Sequence, residues 1–315
     1  MFDTKKITIF FITSFLFALS NSVWSDTKLD KQLRDVASGG TEKQLVNLIR
    51  KGANVDAPGK YGKRPLMFAA EAGNVNIVVS LLSYGAEVNA RTKKGDTALT
   101  LATQNNHPPI TAMLIEFGAN IHDRTRTGLD SLMIAAKNGN DAIVRQLLQF
   151  NADVRSSDSL GNSALMYAIK GGYNNVVSTL FNNSSKVAPC VPNNIGITPL
   201  MAAINVGDAK IIAHILPRIR HIDFQDNFGS AALHYAADKN NLDVVKYLVE
   251  HRAKIDLEDS DKETALFYAI RAENIDVVKY LLANKASKSH ENIMGVTAAQ
   301  LAVEQKSSPM IELLK

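Results

Sequence analysis

Apolar positions along the chain fall into pairs of short helical stripes that return at a fixed interval. In Gln225–Leu257, QDNFGSAALHYAADKNNLDVVKYLVEHRAKIDL, two amphipathic helices flank one tight turn. Moved along by its own length in either direction, the stretch overlays on itself: Leu233 falls on Leu266 and Leu200, Ala236 on Ala269 and Ala203, and Ile255 on Ile222. A fixed period of this size predicts a row of stacked units, each burying its apolar face only against its neighbours.

The punctuation keeps the same phase. A glycine precedes the first helix at Gly62, Gly95, Gly128, Gly161, Gly196, Gly229 and Gly295, with Lys262 in its place once; six of the steps are equal, and the one from Gly161 to Gly196 is longer by two. A small residue for close helix approach recurs at Ala69, Ala102, Ala135, Ala168, Ala203, Ala236, Ala269 and Ala302. Thr97, Asp130, Ser163, Thr198, Thr264 and Thr297 are placed to cap the first helices. Pro65 and Pro199 sit at the next position, where a missing N–H costs nothing.

The turn inside each pair needs positive φ, and it is filled by Gly73, Asn106, Gly139, Gly172, Gly207 and Asn240. Second helices end in apolar pairs such as Leu81-Leu82 and Leu281-Leu282, then in a left-handed terminator at Gly52, Gly85, Gly118 and Asn151. No such terminator is visible in the second half of the chain. With Pro217 and the insertion near Pro189 and Cys190, this predicts the weakest part of the row between Asn182 and Phe224.

On the helix-opening strings RPLMFAA, TALTLAT, DSLMIAA, SALMYAI, TPLMAAI, AALHYAA, TALFYAI and TAAQLAV the chain resembles the ankyrin-repeat family over about nine tenths of its length. The resemblance implies an all-α ankyrin-repeat solenoid of stacked helix-turn-helix units with hairpin fingers. The expected organisation is a signal peptide at 1–25, an amino-terminal capping repeat at 26–57, seven full repeats at 58–289 and a carboxy-terminal capping repeat at 290–315.

The opening stretch, Met1–Ser25, follows another grammar. Lys5 and Lys6 precede the apolar run Ile7–Leu19, and small residues follow at Ser20, Ser22 and Ser25. This is the order of a secretory signal, cut after Ser25 or after Ser20. The run is shorter than the roughly 20 apolar residues of a membrane span, so no membrane attachment is expected after cleavage. Export into a bacterial periplasm, or out of the cell, is the reading. Cys190 is the single cysteine, which leaves an intramolecular disulfide impossible.

Chemistry-bearing motifs are scarce. The seven histidines are spread over four units without zinc-site spacing, and no phosphate loop, HExxH helix or nucleophile elbow appears. His234 falls on the histidine of the family's TPLH motif, which implies a structural role. We therefore expect no enzyme, no cofactor and no metal. The net charge is +4, or +3 without Met1–Ser25, which holds Asp3, Lys5 and Lys6; either value is too slight to suggest nucleic acid.

What remains is a protein partner, which family members bind through hairpin fingers and the adjoining concave face. The first three fingers, PGKYGKR, RTKKGD and RTRTGL, carry Lys60, Lys63, Arg64, Arg91, Lys93, Lys94, Arg124 and Arg126; later fingers carry Asp226, Glu258, Asp259 and Asp261. A rim running from positive to negative would steer a partner that is acidic toward the amino-terminal half. Leu129, Leu160, Ile195, Ile197 and Phe228, with Tyr61 further out, are apolar where polar fingertips are expected. The expected function is a monomeric protein-binding scaffold. Two alternatives are an accessory or inhibitory subunit of a periplasmic enzyme and a secreted bacterial effector that binds a host protein.

Overall fold

A computed structural model describes residues 26–183, 187 and 189–315; the expected signal peptide lies outside these residues. Eighteen α-helices, and no strands, form nine antiparallel pairs among them. The first pair is α1 (Lys28–Gly39) with α2 (Glu42–Arg50), followed by α3 (Pro65–Ala72) and α4 (Val75–Ser83), and by α5 (Ala98–Gln104) and α6 (Pro108–Glu116). Then come α7 (Ser131–Lys137) and α8 (Asp141–Gln149), α9 (Ala164–Lys170) and α10 (Asn174–Asn183), and α11 (Pro199–Val206) and α12 (Ala209–Ile215). The last three pairs are α13 (Ala232–Asp238) with α14 (Leu242–Glu250), α15 (Ala265–Arg271) with α16 (Ile275–Ala283), and α17 (Ala298–Glu304) with α18 (Ser308–Leu314). Odd-numbered helices stack in one row and even-numbered helices in the other.

Helices this short are marginal alone, so tertiary contact and caps must hold them. Thr97, Asp130, Ser163, Thr198 and Thr297 each accept from the backbone N–H three residues on. Thr264 departs from expectation: it occupies the cap, but its hydroxyl is buried without a partner among the described residues. All eight in-phase alanines are completely buried. Around them Leu66, Leu99, Leu132, Leu165, Leu200, Leu233 and Leu266 form one buried row, and Ile77, Ile110, Ile143, Val176, Ile211, Val244, Val277 and Met310 another. Of each apolar pair closing a second helix the first residue is buried; from the second pair onward its neighbour, beginning with Ile115, is only half-buried. At the amino-terminal end the charged residues Asp30 and Arg34 are buried: Asp30 accepts from Asn54 N at 2.7 Å, and Arg34 pairs with Asp26 at 2.6 Å.

The left-handed turns match the glycine and asparagine positions and also reach residues that give no sign of them. Arg252 (φ 68°) and Lys285 (φ 71°) end α14 and α16 in the conformation of Gly85 and Gly118, so the terminator persists in those units without glycine. Glu273 and Lys306 do the same inside their pairs. In the long repeat α10 runs to ten residues against nine in α8, and Val187 stays buried in the phase of Val154, so the two extra residues fall after it. At Pro217 the second helix is cut short: α12 stops at seven residues and passes into a 3-10 turn, Leu216–Arg218.

One discontinuity lies deeper. The buried apolar residues divide into one cluster from Leu33 to Ala119 and another from Leu132 to Leu314, with half-buried Ile115 and Ile121 bordering both. Between them the core is polar: Thr100, Thr103, Thr111 and Ser131 are all buried. Thr100 and Thr111 satisfy their hydroxyls locally, against Thr97 and His107 O, but the Thr103 and Ser131 hydroxyls have no partner among the described residues. Other units place Ala70, Ala136 or Ala237 where Thr103 stands, and Ala98, Ala164 or Ala232 where Ser131 stands. A buried hydroxyl without a partner costs about 1–3 kcal/mol. Thr103→Ala and Ser131→Ala are therefore expected to raise the urea midpoint, each by about 1 kcal/mol of stability, while Thr100→Ala lowers it; a loss of stability in both of the first two would contradict the orphaned-hydroxyl account.

Candidate functional site

Between pairs the chain turns through a hairpin that is built the same way eight times. The residue opening the turn, for example Asp158, donates its N–H to the carbonyl four residues on and accepts at its own carbonyl from Gly161 N at 3.0 Å. In the later hairpins its side chain takes the remaining N–H groups: Asp158 accepts from Leu160 and Asn162, Asn193 from Ile195 and Ile197, Asp226 from Phe228 and Ser230, and Asp259 from Asp261 and Glu263. The glycine must be left-handed, and the next hairpin packs directly on it. A Cβ at Gly196 (φ 81°) would lie 2.6 Å from Asp226 Cα.

That packing is a hydrogen-bonded rail. Lys93 N donates to Tyr61 O at 2.8 Å, Arg126 N to Lys94 O at 2.7 Å, Ser159 N to Thr127 O at 3.2 Å and Asn194 N to Leu160 O at 3.0 Å. It continues through Asn227 N to Ile195 O, Ser260 N to Phe228 O and Ile293 N to Asp261 O, at 3.1, 2.9 and 2.8 Å. Successive tips are thus held in register, and their outermost dipeptides read Lys60-Tyr61, Lys93-Lys94, Arg126-Thr127, Ser159-Leu160, Asn194-Ile195, Asn227-Phe228, Ser260-Asp261 and Ile293-Met294.

The family model described as "Ankyrin repeats (3 copies)" matches residues 33–125 and 114–190, and the model "Ankyrin repeats (many copies)" matches 233–282. The chain belongs to the ankyrin-repeat family. No individual curated protein matches it. Ankyrin repeats are in general protein–protein interaction modules. The helix pairs α11–α12 and α17–α18 lie beyond the matched stretches and repeat the same hairpin and helix geometry.

On this ankyrin rail the apolar residues proposed from sequence separate into two sets. Leu160, Ile195 and Phe228 stand on three successive tips and are 63%, 53% and 68% exposed; Tyr61 is exposed as well. Leu129 and Ile197 lie one residue past the glycine, where the chain turns inward, and both are half-buried against the core, which corrects their reading as solvent-facing. Ile293 and Met294 were not anticipated, yet both are more than half exposed, and the phase of Gly295 places Met294 in register with Leu160.

The cations divide likewise. Lys63 is paired with Glu71, and Arg64 with Asp56 and Glu87. Arg91 reaches Asp123 at 3.3 Å and the Arg124 carbonyl on the next finger. Arg124 in turn donates to Ser157 O at 2.9 Å and Ser156 Oγ at 3.2 Å, as Gln225 does to Glu258 O further along. Arg91 and Arg124 are thus straps between fingers, although both remain exposed. Lys60, Lys93, Lys94 and Arg126 form no ion pair among the described residues. The acidic end shrinks too: Asp226 is buried and Asp259 half-buried, both closing their turns, which leaves Glu258 and Asp261 outside.

Tyr167, Tyr235 and Tyr268 donate to Asp158, Asp226 and Asp259 at 2.6, 2.6 and 2.7 Å, tying each finger to its first helix. In Tyr167 and Tyr235 burial, and then the facing carboxylate, holds the phenol well above its ordinary range. For Asp158 burial opposes ionisation, but the bonds from Tyr167 and the turn N–H groups outweigh it and its pKa is lowered.

His234 is fully enclosed. Its Nδ1 accepts from Ala231 N at 3.0 Å, so Nε2–H faces the carbonyls of Leu257 (3.0 Å) and Glu263 (3.2 Å). No three residues of His, Cys, Asp or Glu converge to hold a metal among the described residues. Cys190 is a half-buried free thiol.

These bonds can be tested at two places. Arg124→Ala is expected to cost about 1 kcal/mol in urea unfolding through its lost bonds, whereas Arg126→Ala leaves the midpoint in place; equal effects would remove the distinction between strap and free tip. Burial lowers the His234 pKa below the ordinary 6.5, so below that pH the unfolded chain binds more protons and stability falls as pH falls. The slope is up to about 1.4 kcal/mol per pH unit between the two pKa values. His234→Gln, which reproduces the cap Gln300 gives Thr297 N at 2.7 Å, should flatten the loss as pH falls below 6.5; an unchanged profile would place the titration elsewhere.

Proposed function

We propose that this ankyrin array is a monomeric, non-catalytic scaffold that captures a partner protein along its hairpin tips and acts after export, in a periplasm or outside the cell. The observation that carries the reading is the rail. It fixes Lys93, Lys94 and Arg126 beside one another and sets Leu160, Ile195 and Phe228 on the three tips that follow. Cations without intramolecular partners orient an acidic surface at long range, and exposed apolar groups in a row supply contact once it arrives. Among the described residues no helix is long and apolar enough to cross a membrane.

The test is capture from the native compartment, with Lys93→Glu, Lys94→Glu and Arg126→Glu combined in one variant and Leu160→Ser, Ile195→Ser and Phe228→Ser in another. The charge variant should lose partner capture at low salt and recover part of the difference at high salt, with an unchanged melting curve because none of the three forms an ion pair among the described residues. The apolar variant should lose capture at every salt concentration. Capture by both variants equal to that of the unmodified chain would refute the rail as the interface.

A further inference from the structure

The concave face beside the fingers is braced at intervals by a side-chain strap from the residue after the finger glycine, or its stand-in Lys262, to a first-helix residue eight positions on. Lys63 pairs with Glu71, Asn162 accepts from Lys170 at 2.8 Å, and Glu263 pairs with Arg271. At the corresponding positions of the third finger stand Leu129 and Lys137. Leucine offers Lys137 nothing to bond; its ammonium lies 5.5 Å over the Tyr167 ring and meets no carboxylate among the described residues.

Where this strap lapses, an open cleft of about 400 Å³ lies between the second and third fingers. Leu129 and Ile134 give it an apolar wall, and Lys94, Arg126 and Lys137 line it with three cations. Arg126 N–H donates to Lys94 O, so those two cations occupy adjoining rungs of the rail. One carboxylate, Asp96, shares the lining and is held by the Thr92 hydroxyl at 3.0 Å. The volume lies in the range of roughly 300–1,000 Å³ that holds specific ligands.

We propose that this cleft takes a peptide segment of the partner in which Asp or Glu residues stand beside Leu or Phe. The inference rests on the tip-binding reading above and adds the partner's chemistry. Three cations against one tethered carboxylate leave an excess of two positive charges, which peptide carboxylates match. The Leu129–Ile134 wall needs an apolar neighbour, and the same segment, continuing along the rail, meets Leu160, Ile195 and Phe228. A phosphodiester chain suits this lining poorly: it has no apolar side chain for the wall, and its charge continues where the tips turn apolar.

The test is selection of short random peptides displayed on phage against the purified full-length chain, followed by affinity measurement on the synthetic winners. Winners should place Asp or Glu next to Leu or Phe, and should bind a Lys94→Gln/Arg126→Gln/Lys137→Gln variant about tenfold more weakly, a gap that narrows at high salt. Leu129→Glu, which recreates the Glu263–Arg271 strap and closes the cleft, should produce a similar loss. Should that half-buried site not tolerate glutamate, the triple glutamine variant carries the test alone, with its melting curve as the folding control.

Winners that lack acidic residues and lose binding on Phe228→Ser would overturn the cleft proposal and leave the tip reading standing. A failure to enrich any peptide would overturn the cleft proposal, with the tip reading still decided by its own capture assay. Tighter binding of a single-stranded oligonucleotide than of any winning peptide would replace the peptide by a polyanion.

Discussion

Everything in this molecule depends on the close approach of one first helix to the next across a buried alanine. No unit has two apolar layers of its own, and the first helices, mostly seven or eight residues long, are too short to persist alone. Ala69 through Ala302, all without solvent exposure, let neighbouring backbones come close enough for the flanking leucine and isoleucine rows to interlock. The hairpins inherit that spacing. Because the helices sit at one fixed separation, each finger falls within hydrogen-bond reach of the next, and seven backbone bonds join eight tips.

A rail assembled from backbone atoms leaves its side chains free. The outward dipeptide of each tip contributes its N–H and C=O to the ladder whatever its identity, so lysine, leucine, phenylalanine and aspartate occupy equivalent places at little cost to folding. Interaction chemistry can therefore be read where the ladder is indifferent. It must be set aside where a side chain is itself part of the ladder, as Asp226, Arg91 and Arg124 are.

That distinction marks how far the sequence could be read. The period, the helix pairs, the capping residues and the left-handed glycines were legible because each is a local demand repeated along the row. Free and strapped cations were not separable, since an arginine inside RTKKGD looks the same whether its guanidinium meets solvent or the carbonyl of the next finger. Register would have helped: Arg91, Arg124 and Gln225 share one phase of the repeat, and Lys94, Leu160, Phe228 and Met294 another. Aligning the tips by distance from the glycine places Leu129 inward and Met294 outward. Arg252 and Lys285 gave no local sign of positive φ; there the stacked neighbours impose the turn that glycine adopts without strain elsewhere.

The same neighbour-by-neighbour logic accounts for where the straps lie. The polar seam of Thr103 and Ser131 interrupts the apolar core between the second and third full repeats. Arg91 spans that interface on the finger side, and Arg124 spans the following one. The bonds of Arg91 thus reinforce the row where its core is broken, and they hold the second and third fingers in register across the seam. The open cleft sits at this place, between α5 and α7 and beneath those two fingers. A segment bound there would span the seam between the two core clusters, so its binding energy would add to that junction and couple recognition to the rigidity of the whole array.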